Sequence, residues 1–283
     1  AQQADLDLVS GLADLQAGGD IRESLAQADQ ALVLLGTLAG RDPRFAEIRQ
    51  LASRLAESTG ARLGFLSEGP NSAGLAQAGV LPHRLPGGAR VAQPGRNAQQ
   101  MQAEPPATLL LFGIEPGLDC ANPSGARQML REAGQVVVIT QYLSDELREH
   151  ADVLLPMGTF AETAGSFVNV EGRWQSFGGV ARPVGESRPG WKVLRVLGNL
   201  LRLPDCDYQS AESVTEEARA AIGQLQADNA IGAGELPEPA SSEPAGELPM
   251  YGIDALVRRA PALQQTGEAL RAAGTGPASR QVA

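Results

Sequence analysis

Three unbroken apolar runs constrain this chain most: ALVLLG (Ala31–Gly36), TLLLFG (Thr108–Gly113) and QVVVIT (Gln135–Thr140). Each is strand-sized and lacks the polar alternation of a half-exposed strand, so each is expected to lie in a buried parallel sheet. Between the runs the apolar spacing becomes helical. Phe45, Ile48, Leu51, Ala52 and Leu55 line one face of a helix that Asp42-Pro43 opens and Gly60 ends. Asn122-Pro123 caps a helix carrying Ala126, Met129, Leu130 and Ala133, and Ser144 caps a short one through His150. Asp20 with Glu23 signals the start of a short helix to about Ala28, while Arg62–Leu66 and Ala151–Leu155 add strands. Strands separated by helices of this length mean βαβ units: an α/β fold of mostly parallel sheets flanked by helices.

Beyond Pro156 the pattern changes. Phe167–Val170 and Arg173–Phe177 flank the turn dipeptide Glu171-Gly172 and predict a small β-hairpin. Pro189 starts an amphipathic helix with Trp191, Leu194, Leu197 and Leu201 on one side. Ser213 to Glu216 reads as a capping box for a helix within 210–228, with Val214, Ala218, Ile222 and Leu225 facing inward. Pro86–Pro106 shows no periodicity and reads as a loop. Asn229–Pro249 is acidic, rich in Pro, Gly and Ser, and contains GELP twice; it reads as a flexible linker. Residues 1–209 are therefore expected to form one α/β domain with the 86–106 loop. A helix at 210–228, the linker at 229–249 and a C-terminal docking segment with a tail at 250–283 follow. Periodicity returns at Tyr251–Gln265 (YGIDALVRRAPALQQ), the part of that segment expected to dock. Because the chain starts at Ala1 rather than Met, it is expected to be a piece of something longer.

Charge narrows the partners. With 23 Lys and Arg against 33 Asp and Glu, the formal charge is −10. A phosphate-binding protein concentrates positive charge, so nucleic acid is excluded as the expected partner, as is a polybasic grip on anionic lipid. No apolar run approaches the roughly 18 residues of a membrane helix, so no direct insertion is expected. Cys120 and Cys206 stand alone, as do His83 and His150, so no metal site is expected.

Walker, G-x-G-x-x-G, G-x-S-x-G and H-E-x-x-H motifs are all missing from the sequence. Open α/β sheets still bind ligands in loops beyond strand ends, and three such loops carry suitable residues. In Ser67–Pro82, Glu68, Asn71, Ser72 and Gly74 offer donors and acceptors to a nucleotide, although a polar loop with Asn71 capping a small helix explains them better. Gly113–Pro123 contains Glu115-Pro116 and Asn122-Pro123, which ordinary turn chemistry explains. Pro156–Phe177 gathers Glu162, Gly165, Asn169, Glu171, Gly172, Arg173 and Gln175. Gly165 and Gly172 permit close backbone approach or positive φ. Asn169 and Arg173 suit an anionic or purine ligand, whereas pairing of Glu162 and Glu171 with Arg173 would simply brace the hairpin.

The pattern ADVLLP-x5-E-x2-G-x3-N-x-EGR-x-Q, from Ala151 to Gln175, resembles a block that closes the pterin-binding domain of the molybdopterin-oxidoreductase superfamily. Glu68–Pro82 resembles that superfamily's G-x-N-x-x-G loop, and Thr108–Pro123 its strand-plus-turn. Tyr251 to Gln264, Y-x-x-D-x-L-V-R-R-A-P-x-L-Q, resembles the closing segment of the large iron–sulfur subunit of bacterial NADH:quinone oxidoreductase (complex I). The resemblance implies Rossmann-like subdomains. It also implies a place in the respiratory electron-transport chain from NADH to quinone, on the cytoplasmic side of the inner membrane. Other subunits of the peripheral arm would be its partners, and iron–sulfur clusters would sit in an upstream part of the full subunit. In that family the pterin and molybdenum are held to be lost from this domain, so the implied role is a scaffold with no catalytic residues. The alternative is a fragment of an active formate dehydrogenase-like molybdenum enzyme. Under it Glu68, Asn71, Gly74, Glu162, Gly165, Asn169 and Arg173 would face the nucleotide part of a molybdopterin cofactor.

Overall fold

The computed structural model describes residues 8–40, 42–67, 69–223 and 251–272. Glu68, the 229–249 linker with both GELP matches, Leu225 and the 273–283 tail lie outside the described residues. The chain forms two compact units. One takes in residues 8–77 and Phe167–Gln175; the other takes in Ala78–Ser166, Ser176–Gly223 and residues 251–272.

In the first unit, α1 (Leu8–Ala17), α2 (Asp20–Gln27) and α3 (Phe45–Thr59) accompany β1 (Leu32–Leu35) and β2 (Arg62–Phe65), which pair in parallel. Val33, Leu35, Leu63 and Phe65 pack with Ile48 and Ala52 of α3 and with Val9 and Leu12 of α1. The period-2 alternation puts Leu32 and Leu34 on the other face, where they are 57% and 48% exposed. Gly60 closes α3 in the left-handed conformation (φ 75°), as its place after the last apolar residue predicts. The start of α3 differs from expectation. Asp42 Oδ1 accepts from the Arg44 N–H at 2.8 Å, so Asp42-Pro43 makes a separate turn and the helix begins at Phe45.

In the second unit, α4 (Ala98–Ala103) falls inside the stretch that lacks periodicity. Asn97 and Gln100 form a reciprocal capping box there, and Met101 packs on the core. A parallel sheet follows, with β3 (Thr108–Phe112), β4 (Gln135–Thr140) and β5 (Val153–Pro156) in sequential order. Its crossovers carry α5 (Pro116–Asp119), α6 (Pro123–Glu132) and α7 (Asp145–His150). Leu109, Leu111, Val136 and Val138 on one sheet face pack with Met129 and Leu130 of α6 and Leu147 of α7. Right-handed crossovers bring successive helices to the same face, which accounts for this one-sided core. On the opposite face Leu110 and Phe112 remain 45% and 42% exposed.

A hairpin of β6 (Gly165–Val168) and β7 (Trp174–Phe177) follows, as expected. Then come α8 (Gly190–Leu200) and α9 (Ala211–Ile222). The apolar side of α8 is only partly covered: Leu194 and Leu201 are 39% and 63% exposed, and the buried residue is Gly198, which leaves room for the Cys206 side chain. The capping box of α9 is Ser210 with Ser213, so this helix starts earlier than a Ser213 cap implies. No described helix is long and apolar enough to cross a membrane.

Candidate functional site

Among the described residues, a cluster of buried charge lies beyond the carboxyl ends of β3 and β4, all within the second unit. Glu115 immediately precedes α5, and its side chain is 5% exposed. Its own N–H donates to Asp119 Oδ2 at 2.6 Å, which closes the loop. Gly117 N–H donates to Glu146 Oε2 at 3.0 Å, and Arg127 joins Glu146 Oε1 at 2.8 Å to the Gly117 carbonyl at 3.2 Å. The loop that carries Glu115 and Asp119 is thus shaped by bonds among residues 115–146.

Their counter-charges come from the C-terminal segment. Asp254 Oδ1 accepts from the N–H groups of Leu256 and Val257, both at 2.9 Å, and starts a turn at Val257–Arg259. Pro261 opens α10 (Pro261–Gln264), and Gln264 Nε2 donates back to the carbonyls of Tyr251 and Val257 at 2.9 and 3.0 Å. This compact hook presents two arginines. Arg259 donates from Nη1 and Nη2 to the two carboxylate oxygens of Glu115 at 2.9 and 2.7 Å. Its guanidinium carbon lies 4.6 Å from the centre of the Tyr142 ring. Arg258, 8% exposed, bonds Asp119 through Nη2 and lies 3.4 Å from Glu115 through Nη1.

Burial pushes the Glu115 carboxyl up, but hydrogen bonding from Arg259 and the charges of Arg259 and Arg258 outweigh it. The group is held below the ordinary carboxylate value. Its bond to Glu115 raises Arg259 in turn. A carboxylate so neutralised is a poor general base. Cys120, next to the cluster, is a poor nucleophile: burial, then the Asp119 charge, raises its pKa. Chemically, this arrangement fixes a segment in place.

Sequence reasoning expected Tyr251–Gln265 to dock but did not identify Glu115 and Asp119 as the groups receiving it. The candidate residues of the other loops are engaged elsewhere. Asn71 Oδ1 accepts from the Val168 N–H at 2.8 Å, and Gly74 is pressed against Asn71 and Val168. Asn169 Oδ1 accepts from the N–H groups of Glu171 and Arg173 at 3.0 and 2.9 Å, and shapes the turn in which Gly172 takes φ 79°. These residues belong to the first unit.

In the second unit, Glu162 Oε2 accepts from the Thr159 N–H and Oγ1 at 2.7 and 3.0 Å, and Oε1 from the Val184 N–H at 3.0 Å. Gly165 leaves room for the Phe177 ring. Within the first unit, the expected bracing of Arg173 by Glu171 is not formed. Arg173 is exposed, Glu162 caps its own turn, and Glu171 meets Asn169 Nδ2 at 3.4 Å. Among the described residues, no group of three His, Cys, Asp or Glu is placed to hold a metal ion.

A family model described as molybdopterin oxidoreductase matches residues 8–200. The chain belongs to the molybdopterin oxidoreductase family. This family member is 31% identical over 313 residues to the G subunit of NADH-quinone oxidoreductase from Streptomyces coelicolor, covering 97% of the chain and 35% of the relative. It therefore spans about a third of that relative's length. It is 35% identical over 149 residues to the same-named protein of Mycobacterium bovis, covering 44% of the chain and 18% of the relative. A Staphylococcus haemolyticus protein provisionally named a formate dehydrogenase is 25% identical over 169 residues, covering 52% of the chain and 17% of that protein.

Membership raises the pterin cofactor for which the family is named. Five of the candidate residues, Asn71, Gly74, Glu162, Gly165 and Asn169, are already used by the fold. The oxygens of Asn71, Glu162 and Asn169 accept from the chain's own backbone, and the candidate glycines accommodate the chain's own side chains.

Proposed function

We propose that this chain is a non-catalytic structural module of a respiratory NADH:quinone oxidoreductase subunit. It covers the cluster-bearing part of that subunit and contacts neighbouring subunits of the peripheral arm, on the cytoplasmic side of the inner membrane. Iron–sulfur clusters belong, on this reading, to an upstream part of the full subunit. Glu162, Gly165, Asn169 and Asn71 then serve the fold, and none of the named residues is catalytic. One observation carries the reading: the loop beyond β3, where an α/β sheet would receive a ligand, instead receives Arg258 and Arg259. Open sheet faces at Leu32, Leu34, Leu110 and Phe112 support it, since parallel sheets are ordinarily covered on both sides.

A second reading, the pterin-dinucleotide-binding part of an active molybdenum oxidoreductase, is favoured by the Staphylococcus relative. Affinity isolation of the full-length polypeptide from its own cells distinguishes the two. Co-purification with an NADH-oxidising, quinone-reducing assembly is expected. Isolation with formate-oxidising activity and no such assembly would overturn the scaffold reading.

A further inference from the structure

We infer that the carboxylate pocket at Glu115, Asp119 and Tyr142 is a recognition site for a paired-arginine peptide, occupied in cis by the chain's own residues 251–265. Receptor and ligand are separately built. Asp119, Glu146 and Arg127 shape the pocket loop without help from the C-terminal segment. Tyr142 is set by its N–H donating to Thr140 Oγ1 at 3.2 Å, while that hydroxyl donates to the Tyr142 carbonyl at 2.9 Å. The hook is organised internally as well. Arg258 Nη2 donates to the Ile253 carbonyl at 3.0 Å and Arg259 Nη1 to the Ala255 carbonyl at 2.9 Å, so both guanidinium groups are oriented by their own segment.

The chemistry selects arginine. Two N–H donors of one guanidinium meet both oxygens of Glu115 while that group lies over the Tyr142 ring; lysine has no such two-pronged fork. Removing the hook would leave the nearly buried Glu115 carboxylate beside Asp119 with neither arginine. That is a costly state, and a guanidinium pair relieves it. The occupant is this chain's own segment, more than a hundred residues away in sequence from the loop it binds. The inference does not depend on the scaffold role: bound molybdenum would sink that role and leave this site standing.

The test uses the full chain and a fluorescein-labelled peptide, YGIDALVRRAPALQQ, read by anisotropy at low salt. Wild type, with its site filled in cis, is expected to bind at least tenfold more weakly than the variant R258A/R259A. Adding Glu115→Gln to that variant should abolish binding, and a peptide with both arginines replaced by lysine should bind at least tenfold more weakly. A natively folded R258A/R259A chain that ignores the peptide, or that binds the lysine peptide equally, overturns the proposal. Should that variant fail to fold, a protease site placed within residues 229–249 of the otherwise wild-type chain serves instead. After cleavage, the C-terminal fragment should stay bound on gel filtration and leave under excess peptide. Immediate loss, or retention that excess peptide does not change, overturns the proposal.

Discussion

Arg259 holds both carboxylate oxygens of Glu115, across 144 positions of sequence, at 2.9 and 2.7 Å. Arg258 approaches the same carboxylate at 3.4 Å and is itself nearly buried. Removing one partner of such a group strands the others in a poorly solvated site. Glu115→Ala is expected to cost about 3–5 kcal/mol in urea unfolding. Arg127→Ala, at the exposed edge of the loop, should cost only about 0–1 kcal/mol from its ion pair with Glu146. Equal losses for the two variants would mean that the buried cluster has no special role.

The same pair makes stability depend on acid. Glu115 is lowered in the folded state, so its contribution is fully present above the unfolded carboxylate value of about 4.3. It is lost as pH falls through the lower, folded value. Wild type should therefore lose stability over that acid range more steeply than Glu115→Gln, which has no proton to take up there. Parallel stability–pH curves for the two proteins would contradict the assignment.

Asn71 joins the loop after β2 to β6 through the buried Val168 N–H. Asn71→Ala leaves that donor without its partner, at an expected cost of about 1–3 kcal/mol. Hydrogen exchange at the Val168 amide should speed up in step. Unchanged exchange there would show that the bond does not hold the strand.

Arg173 is exposed, and the hairpin turn is shaped by Asn169 instead. Arg173→Glu should leave stability within about 0.5 kcal/mol of wild type. Asn169→Ala should cost about 1 kcal/mol through its lost bonds to two backbone N–H groups. Thermal unfolding of both variants checks this, and the reverse order would restore Arg173 as the brace.

What could be read from sequence divides by range. The caps at Asn122 and Ser144 were legible because cap chemistry is decided within three residues. The strands at 108–112 and 135–140 were legible because an unbroken apolar run reads as a parallel strand, although the β3 face carrying Leu110 and Phe112 is exposed rather than buried. Helix α4 was missed because six residues are too few to show a helical period. Asp42 misled because the same side chain that can begin a helix also closes a tight turn. The Glu115 and Arg259 pairing has no sequence spacing at all. Gly113–Pro123 reads as turn chemistry and Tyr251–Gln265 as an amphipathic segment, and only folding shows that one receives the other.

Molybdenum and pterin content, measured together on the purified full-length polypeptide, tests the scaffold role most directly. Neither should be present above trace in protein whose Glu115 and Arg259 pairing is intact. Stoichiometric molybdenum with a bound pterin dinucleotide would contradict the scaffold role and make this chain part of a working molybdenum enzyme.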